Sequence, residues 1–140
     1  MDRTPDKVWI PGPRFFERLL IPASIPAGQP VDVPDLPTDV FQVDEYVVSK
    51  PSLTEFLRVK GDSMMDAGIF DGDLAAIERR NTAKPGEIVA AFVDNELTLK
   101  ELALEGENYV LRPRNKAYSL IKPHTKLEIY GVLIGIVRKY

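Results

Sequence analysis

The chain has 140 residues, of which 44% are hydrophobic and 28% charged, with a net charge of −3 and a pI near 5.2. That is enough chain for one domain with a real core. The acidic balance argues against nucleic acid as the principal partner, because phosphate binding needs a basic face. With no cysteine, disulfide frameworks, thiolate catalysis and sulfur-ligated zinc are all excluded, and a reducing cytoplasm fits.

In chain order, the first signal is proline. Eight of the twelve prolines fall between Pro5 and Pro37, a density that neither a long helix nor a central strand tolerates. The one helical candidate is PRFFERLL at 13–20, with proline near its start and Phe16, Leu19 and Leu20 on one face. RFFERLLIPASIPAG has the outline of a signal sequence, but Glu17 and Arg18 interrupt its apolar part and prolines follow at once. The apolar run GVLIGIV near the C-terminus is far short of the roughly 20 residues a membrane helix needs. Residues 1–39 therefore read as an extended, proline-rich arm with no room for a helix-turn-helix, and no membrane partner is expected.

From Val40 the pattern changes to short β runs: VFQVDEYVV, LTEFLRVK, DLAAIER, EIVAAFV, LTLKELAL, NYVLRPR and LEIYGVLIGIVRKY. Turn signals separate them, and Asp94-Asn95 between EIVAAFV and LTLKEL predicts a hairpin. The fold expected over 40–140 is mostly β: a compact, strongly curved antiparallel domain behind an N-terminal arm.

Few groups offer chemistry. VKGDSMMDAGIFDGD at 59–73 sets Ser63 among glycines and acids; the serine either caps a short helical turn or acts as a nucleophile. The lone histidine, His124, follows Pro123 in a predicted surface loop. Asp62, Asp66, Asp71 and Asp73 lack calcium-loop spacing, so neither a metal nor a cofactor is expected. A nucleophilic Ser63 without a histidine partner needs a lysine base. An unperturbed lysine is only about 0.1% neutral at pH 7.4, so that base needs an apolar setting. Lys100 in LTLKEL suits it: Thr98, Lys100 and Leu102 share one strand face beside the apolar EIVAAFV. The alternative is an ordinary strand lysine with its amine in water.

GDSMMDAGIFDGD, followed by Lys100 within LTLKEL, resembles the self-cleaving Ser-Lys peptidases of the LexA and UmuD family. The match continues through RNKAYSLI at 114–121 and the closing LEIYGVLIGIVRKY, so that it covers 40–140. The resemblance implies that Ser63 is the nucleophile, Lys100 its base, and the backbone N–H groups of Asp62 and Ser63 the oxyanion donors. It also implies a cytoplasmic homodimer and a scissile bond before a glycine in the arm. Ala27-Gly28 in IPAGQP is the best candidate and Ala23-Ser24 a weaker one. Alanine before the glycine resembles LexA, whereas UmuD proteins often carry cysteine there.

Within the family the short arm looks like UmuD, the accessory subunit of an error-prone translesion DNA polymerase, rather than like repressors with a winged-helix DNA-binding domain. That branch implies self-cleavage promoted by a RecA–single-stranded DNA filament after DNA damage and assembly with a UmuC-type polymerase subunit. It implies no direct sequence-specific DNA binding. The alternatives are a LexA-like or mobile-element regulatory autopeptidase lacking its DNA-binding domain, and a structural polymerase subunit that never cleaves itself. A signal peptidase uses the same dyad but needs a membrane anchor.

Overall fold

The computed structural model describes residues 17–20, 27–29 and 39–140, and the chain divides into two units, 1–46 and 47–140. In the first unit, strands β1 (Glu17–Leu20) and β2 (Asp39–Gln42) pair antiparallel, with Glu17 opposite Gln42 and Leu20 opposite Asp39. The helix expected over 13–20 is thus a strand in its described part, while 13–16 lie outside the described residues. Helical spacing in a four-residue apolar stretch is weak evidence, and strand pairing overrides it. The run VFQVDEYVV is likewise strand only to Gln42. It continues as a short helix, α1 (Val43–Val47), whose first turn carries Asp44 and Glu45, the charge a helix N-terminus favours.

The second unit holds β3 (Thr54–Arg58), β4 (Leu74–Arg79), β5 (Ile88–Val93), β6 (Glu96–Glu105), β7 (Asn108–Arg112) and β8 (Leu127–Val137). They form one six-stranded sheet in the order β3-β4-β8-β5-β6-β7, with every pairing antiparallel. The mostly β, antiparallel expectation holds, and each of these strands coincides with one of the runs read from the sequence, β6 extending one residue beyond LTLKELAL at each end. Asp94 and Asn95 join β5 to β6 at φ 48° and 75°, the left-handed pair that a two-residue hairpin needs. That turn fixes the register and sets Lys100 across from Val89.

Register shifts at Ala76/Ile77 on β4 and Ala90/Ala91 on β5 bracket the middle of β8; bulges of this kind bend a sheet. Gly131 sits between them, opposite Arg79 and Ala90. A Cβ there would lie 2.5 Å from Ile77 Cγ2 and 2.6 Å from the Glu78 carbonyl oxygen, so only glycine lets β8 approach β4 this closely.

Each face of the sheet carries a buried cluster. Val89, Ala91, Leu102, Leu111 and Val132 form one cluster, and Ala75, Ile77 and Ala90 another. Successive β5 residues thus serve opposite sides, as strand alternation requires. Ile77, Leu111 and Val89 are fully buried, each contributing about 1.5–3 kcal/mol relative to exposure. Among the described residues no helix is long and apolar enough to cross a membrane.

Candidate active site

The segment carrying Ser63 is a tight loop between β3 and β4, fastened at several points. Gly61, at φ 89°, donates its N–H to Asp71 Oδ1 at 2.7 Å, and a residue with a Cβ would be strained there. Val59 N–H donates to the Asp73 carbonyl and Gly72 N–H to the Val59 carbonyl, each at 2.8 Å. Met64 and Ile69 are buried beneath. The helical turn expected here exists as one 3-10 turn, Met65–Ala67, but its N-cap position is Met64 and no side chain caps it. Ser63 is therefore not a capping residue. Its side chain is half-buried and lines a cleft of about 320 Å³ shared with Val59, Met64, Ile77, Leu99 and Lys100.

Lys100 reaches that cleft from the middle of β6, with the residue only 8% exposed. Burial pushes its amine below the usual lysine range, because low-dielectric surroundings disfavour the charged form. The Nζ donates to Thr98 Oγ1 at 2.7 Å and to the Leu99 carbonyl at 3.2 Å. Among the described residues these oxygens, and not Ser63 Oγ, hold the amine. Sequence reasoning placed Thr98 on the same face as Lys100 but gave it no task; its position two residues upstream was the available signal.

The loop after β7 grips the serine loop from the other side. Arg114 N–H donates to the Ser63 carbonyl at 2.8 Å, and Asp66 N–H to the Arg114 carbonyl at 2.8 Å. Asn115 Nδ2 donates to the Asp62 carbonyl at 2.8 Å, and Tyr118 OH donates to Asp62 Oδ1. That carboxylate pushes the Tyr118 phenol above its ordinary value. Among the described residues the N–H groups of Asp62 and Ser63 donate no backbone hydrogen bond. Asn115 and Tyr118 lie within RNKAYSLI, yet nothing local in that stretch signals contact with residues more than fifty positions earlier.

Of the acids in this segment, Asp62, Asp71 and Asp73 have side-chain partners. Asp73, 2% exposed, meets Arg138 through both oxygens at 2.7 Å. Arg138 also donates to the Gly68 carbonyl at 2.8 Å and stacks over Phe70. The hydrogen bond from Arg138 holds the Asp73 carboxyl below the usual carboxylate range. His124 is exposed, and its backbone N–H donates to Asp94 Oδ2. In the first unit Ala27 and Gly28 lie in an exposed bend, with nothing within 4 Å of a Cβ built on Gly28. Ala23-Ser24 lies outside the described residues.

Comparison with known proteins adds an independent observation. The sequence profile described as Peptidase S24-like matches residues 19–134. The chain is 46% identical over 122 residues to a LexA repressor of Opitutus terrae, covering 85% of this chain and 60% of that protein. It is 39% identical over 129 residues to a LexA repressor of Clostridium novyi, covering 91% and 63%. A LexA repressor of Alcanivorax borkumensis is 41% identical over 123 residues, covering 87% and 60%. The chain thus spans about 60% of the length of these relatives.

Proposed function

The chain belongs to the Peptidase S24-like family, and from that membership we propose that it is a self-cleaving serine peptidase with Ser63 as nucleophile and Lys100 as general base. The observation that carries this reading is the shared cleft: a serine on a braced loop faces the same space as a buried lysine whose amine is shifted toward neutrality. Neutral Lys100 takes the Ser63 hydroxyl proton as the oxygen attacks the Ala27 carbonyl carbon. The Asp62 and Ser63 N–H groups receive the developing oxyanion. The tetrahedral intermediate collapses, the Ala27–Gly28 bond breaks, and protonated Lys100 supplies the proton that the leaving Gly28 amine needs. Water then attacks the acyl-serine, with Lys100 again the base, and frees the Ala27 carboxylate. Because the arm is tethered, the reaction gains from proximity without a broad specificity pocket.

Two biological settings divide the family. The expectation from the arm was a UmuD-type polymerase subunit with a UmuC-type partner. The relatives named above are LexA repressors, and their names favour the alternative, a LexA-like regulatory autopeptidase. In this reading the chain is a homodimer whose cleavage a RecA–single-stranded DNA filament promotes, and cleavage ends a regulatory state. Incubating the purified chain from pH 7 to 10, with and without filament, tests the chemistry. The expected product begins at Gly28, and Ser63→Ala yields none. A product from Ser63→Ala, or a new N-terminus elsewhere, overturns the assignment it touches.

A further inference from the structure

The grip of the 114–118 loop on the serine loop has a directional consequence. A trans peptide is planar, with its C=O and N–H pointing in opposite directions. The Asp62 carbonyl and the Ser63 N–H belong to the same peptide unit. Whatever holds the Asp62 oxygen therefore sets the direction of the Ser63 N–H. Asn115 Nδ2 holds that oxygen at 2.8 Å, with Met65 N–H a second donor at 3.2 Å. Asn115 is itself locked: its Oδ1 accepts the Ala117 N–H at 2.9 Å, and its carbonyl accepts the Tyr118 N–H at 3.1 Å. The first of these bonds fixes which end of the amide faces Asp62. The next peptide unit is held in the same manner, by Arg114 N–H on the Ser63 carbonyl at 2.8 Å.

We propose that Asn115 is a positioning residue for self-cleavage, aiming the Ser63 N–H at the oxyanion by fixing the Asp62–Ser63 peptide plane. It acts through the peptide unit alone. Tyr118 has a lesser part. Its hydroxyl meets the Asp62 carboxylate, which lies outside that peptide unit and only steadies the side chain. The proposal rests on Ser63 being the nucleophile, and its test separates the two ideas.

Removing an oxyanion donor outright costs about 10²–10³ in rate. Asn115→Ala leaves the donor in place but lets its peptide turn, so the full-length chain should cleave itself about 10- to 100-fold more slowly at every pH. The pH midpoint should not move, because no charge near Lys100 changes. Asn115→Gln, with an amide donor on a longer stem, should recover part of the loss, and Tyr118→Phe should lose less than Asn115→Ala. Lys116→Ala, in the same loop but exposed, should match the parent rate. The Ser63 amide resonance in a nitrogen–proton correlation spectrum reports the peptide directly and should shift in Asn115→Ala but not in Lys116→Ala. A parent-like rate in folded Asn115→Ala, or an unshifted Ser63 amide, overturns the positioning role even when Ser63→Ala is inactive. Cleavage that persists in Ser63→Ala overturns the nucleophile instead, and the amide measurement still decides whether Asn115 orients the peptide.

Discussion

If Lys100 acts as a neutral amine, the self-cleavage rate must follow its deprotonated fraction. The perturbation is pH, and the magnitude follows from a single titration: each unit below the midpoint lowers the rate about tenfold. Burial depresses the Lys100 amine, so the rise should level off below the ordinary lysine value of about 10.4. The hydrogen bond to Thr98 Oγ1 at 2.7 Å opposes that depression, since an acceptor favours the charged form more than the neutral one. Thr98→Val should therefore move the midpoint to lower pH while reducing the plateau rate, because the amine loses its anchor. Lys100→Arg keeps the charge without an accessible neutral form and should be inactive throughout. The assay is first-order loss of full-length chain on gels between pH 6 and 11, with circular dichroism recorded alongside. Linkage gives the sign of the accompanying stability change. A lysine whose folded pKa lies below its unfolded one adds stability as pH rises between the two, so unfolding through this group cannot mimic the plateau. A flat profile in folded protein, or an active Lys100→Arg variant, would refute the reasoning.

The close approach at Gly131, with an added Cβ 2.6 Å from the Glu78 carbonyl oxygen, predicts that Gly131→Ala costs about 2–3 kcal/mol, a fall in melting temperature of roughly 10–20 °C. Gly135→Ala meets only the Val47 side chain, at 3.2 Å, and should change little; equal melting temperatures for the two variants would contradict the packing argument. Arg138→Ala strands the buried Asp73 carboxylate and should lower the melting temperature by several degrees at neutral pH. Asp73 has its folded pKa depressed, so its contribution is full above the ordinary carboxylate value of about 3.9 and is lost as pH falls through the folded one. The gap between parent and variant should accordingly narrow below about pH 4, and a gap that widens in acid would assign the effect elsewhere.

What the sequence made legible divides along the range of the interactions. The β5–β6 hairpin was readable because Asp94 and Asn95 carry their backbone requirement in their own side chains. The run LEIYGVLIGIV was readable as one long strand because no turn residue cluster interrupts it. β1 and α1 were misread: in both, a few apolar residues fit either periodicity, and the pairing of β1 with β2 decided the first. Ser63 and Lys100 were singled out through the resemblance of GDSMMDAGIFDGD and LTLKEL to the Ser-Lys peptidases; residue types alone left a capping serine and an ordinary strand lysine open. Thr98 was visible as a neighbour on the same strand face. Asn115 and Tyr118 were not, since their partner is Asp62 and only the folded sheet brings the two loops together.

The two residues of the proposed dyad are held by opposite means, and that difference bears on control. Lys100 sits on β6 opposite Val89 of β5, one residue before the β7 ladder begins at Glu101, and burial disfavours its charged form. Ser63 sits on a loop whose own turns set its shape and whose direction depends on hydrogen bonds from a second loop. A change that reached the 114–118 loop would turn the Ser63 peptide without disturbing the lysine, whereas displacing Lys100 would break its strand pairing with Val89 of β5. The amine rests on Thr98 and Leu99 rather than on the serine, so productive proton transfer requires the Ser63 side chain to come to the base. The adjustable partner is therefore the nucleophile. On the proposed reading, anything that accelerates cleavage by settling the serine loop leaves the basicity of Lys100, and hence the pH midpoint, where it was.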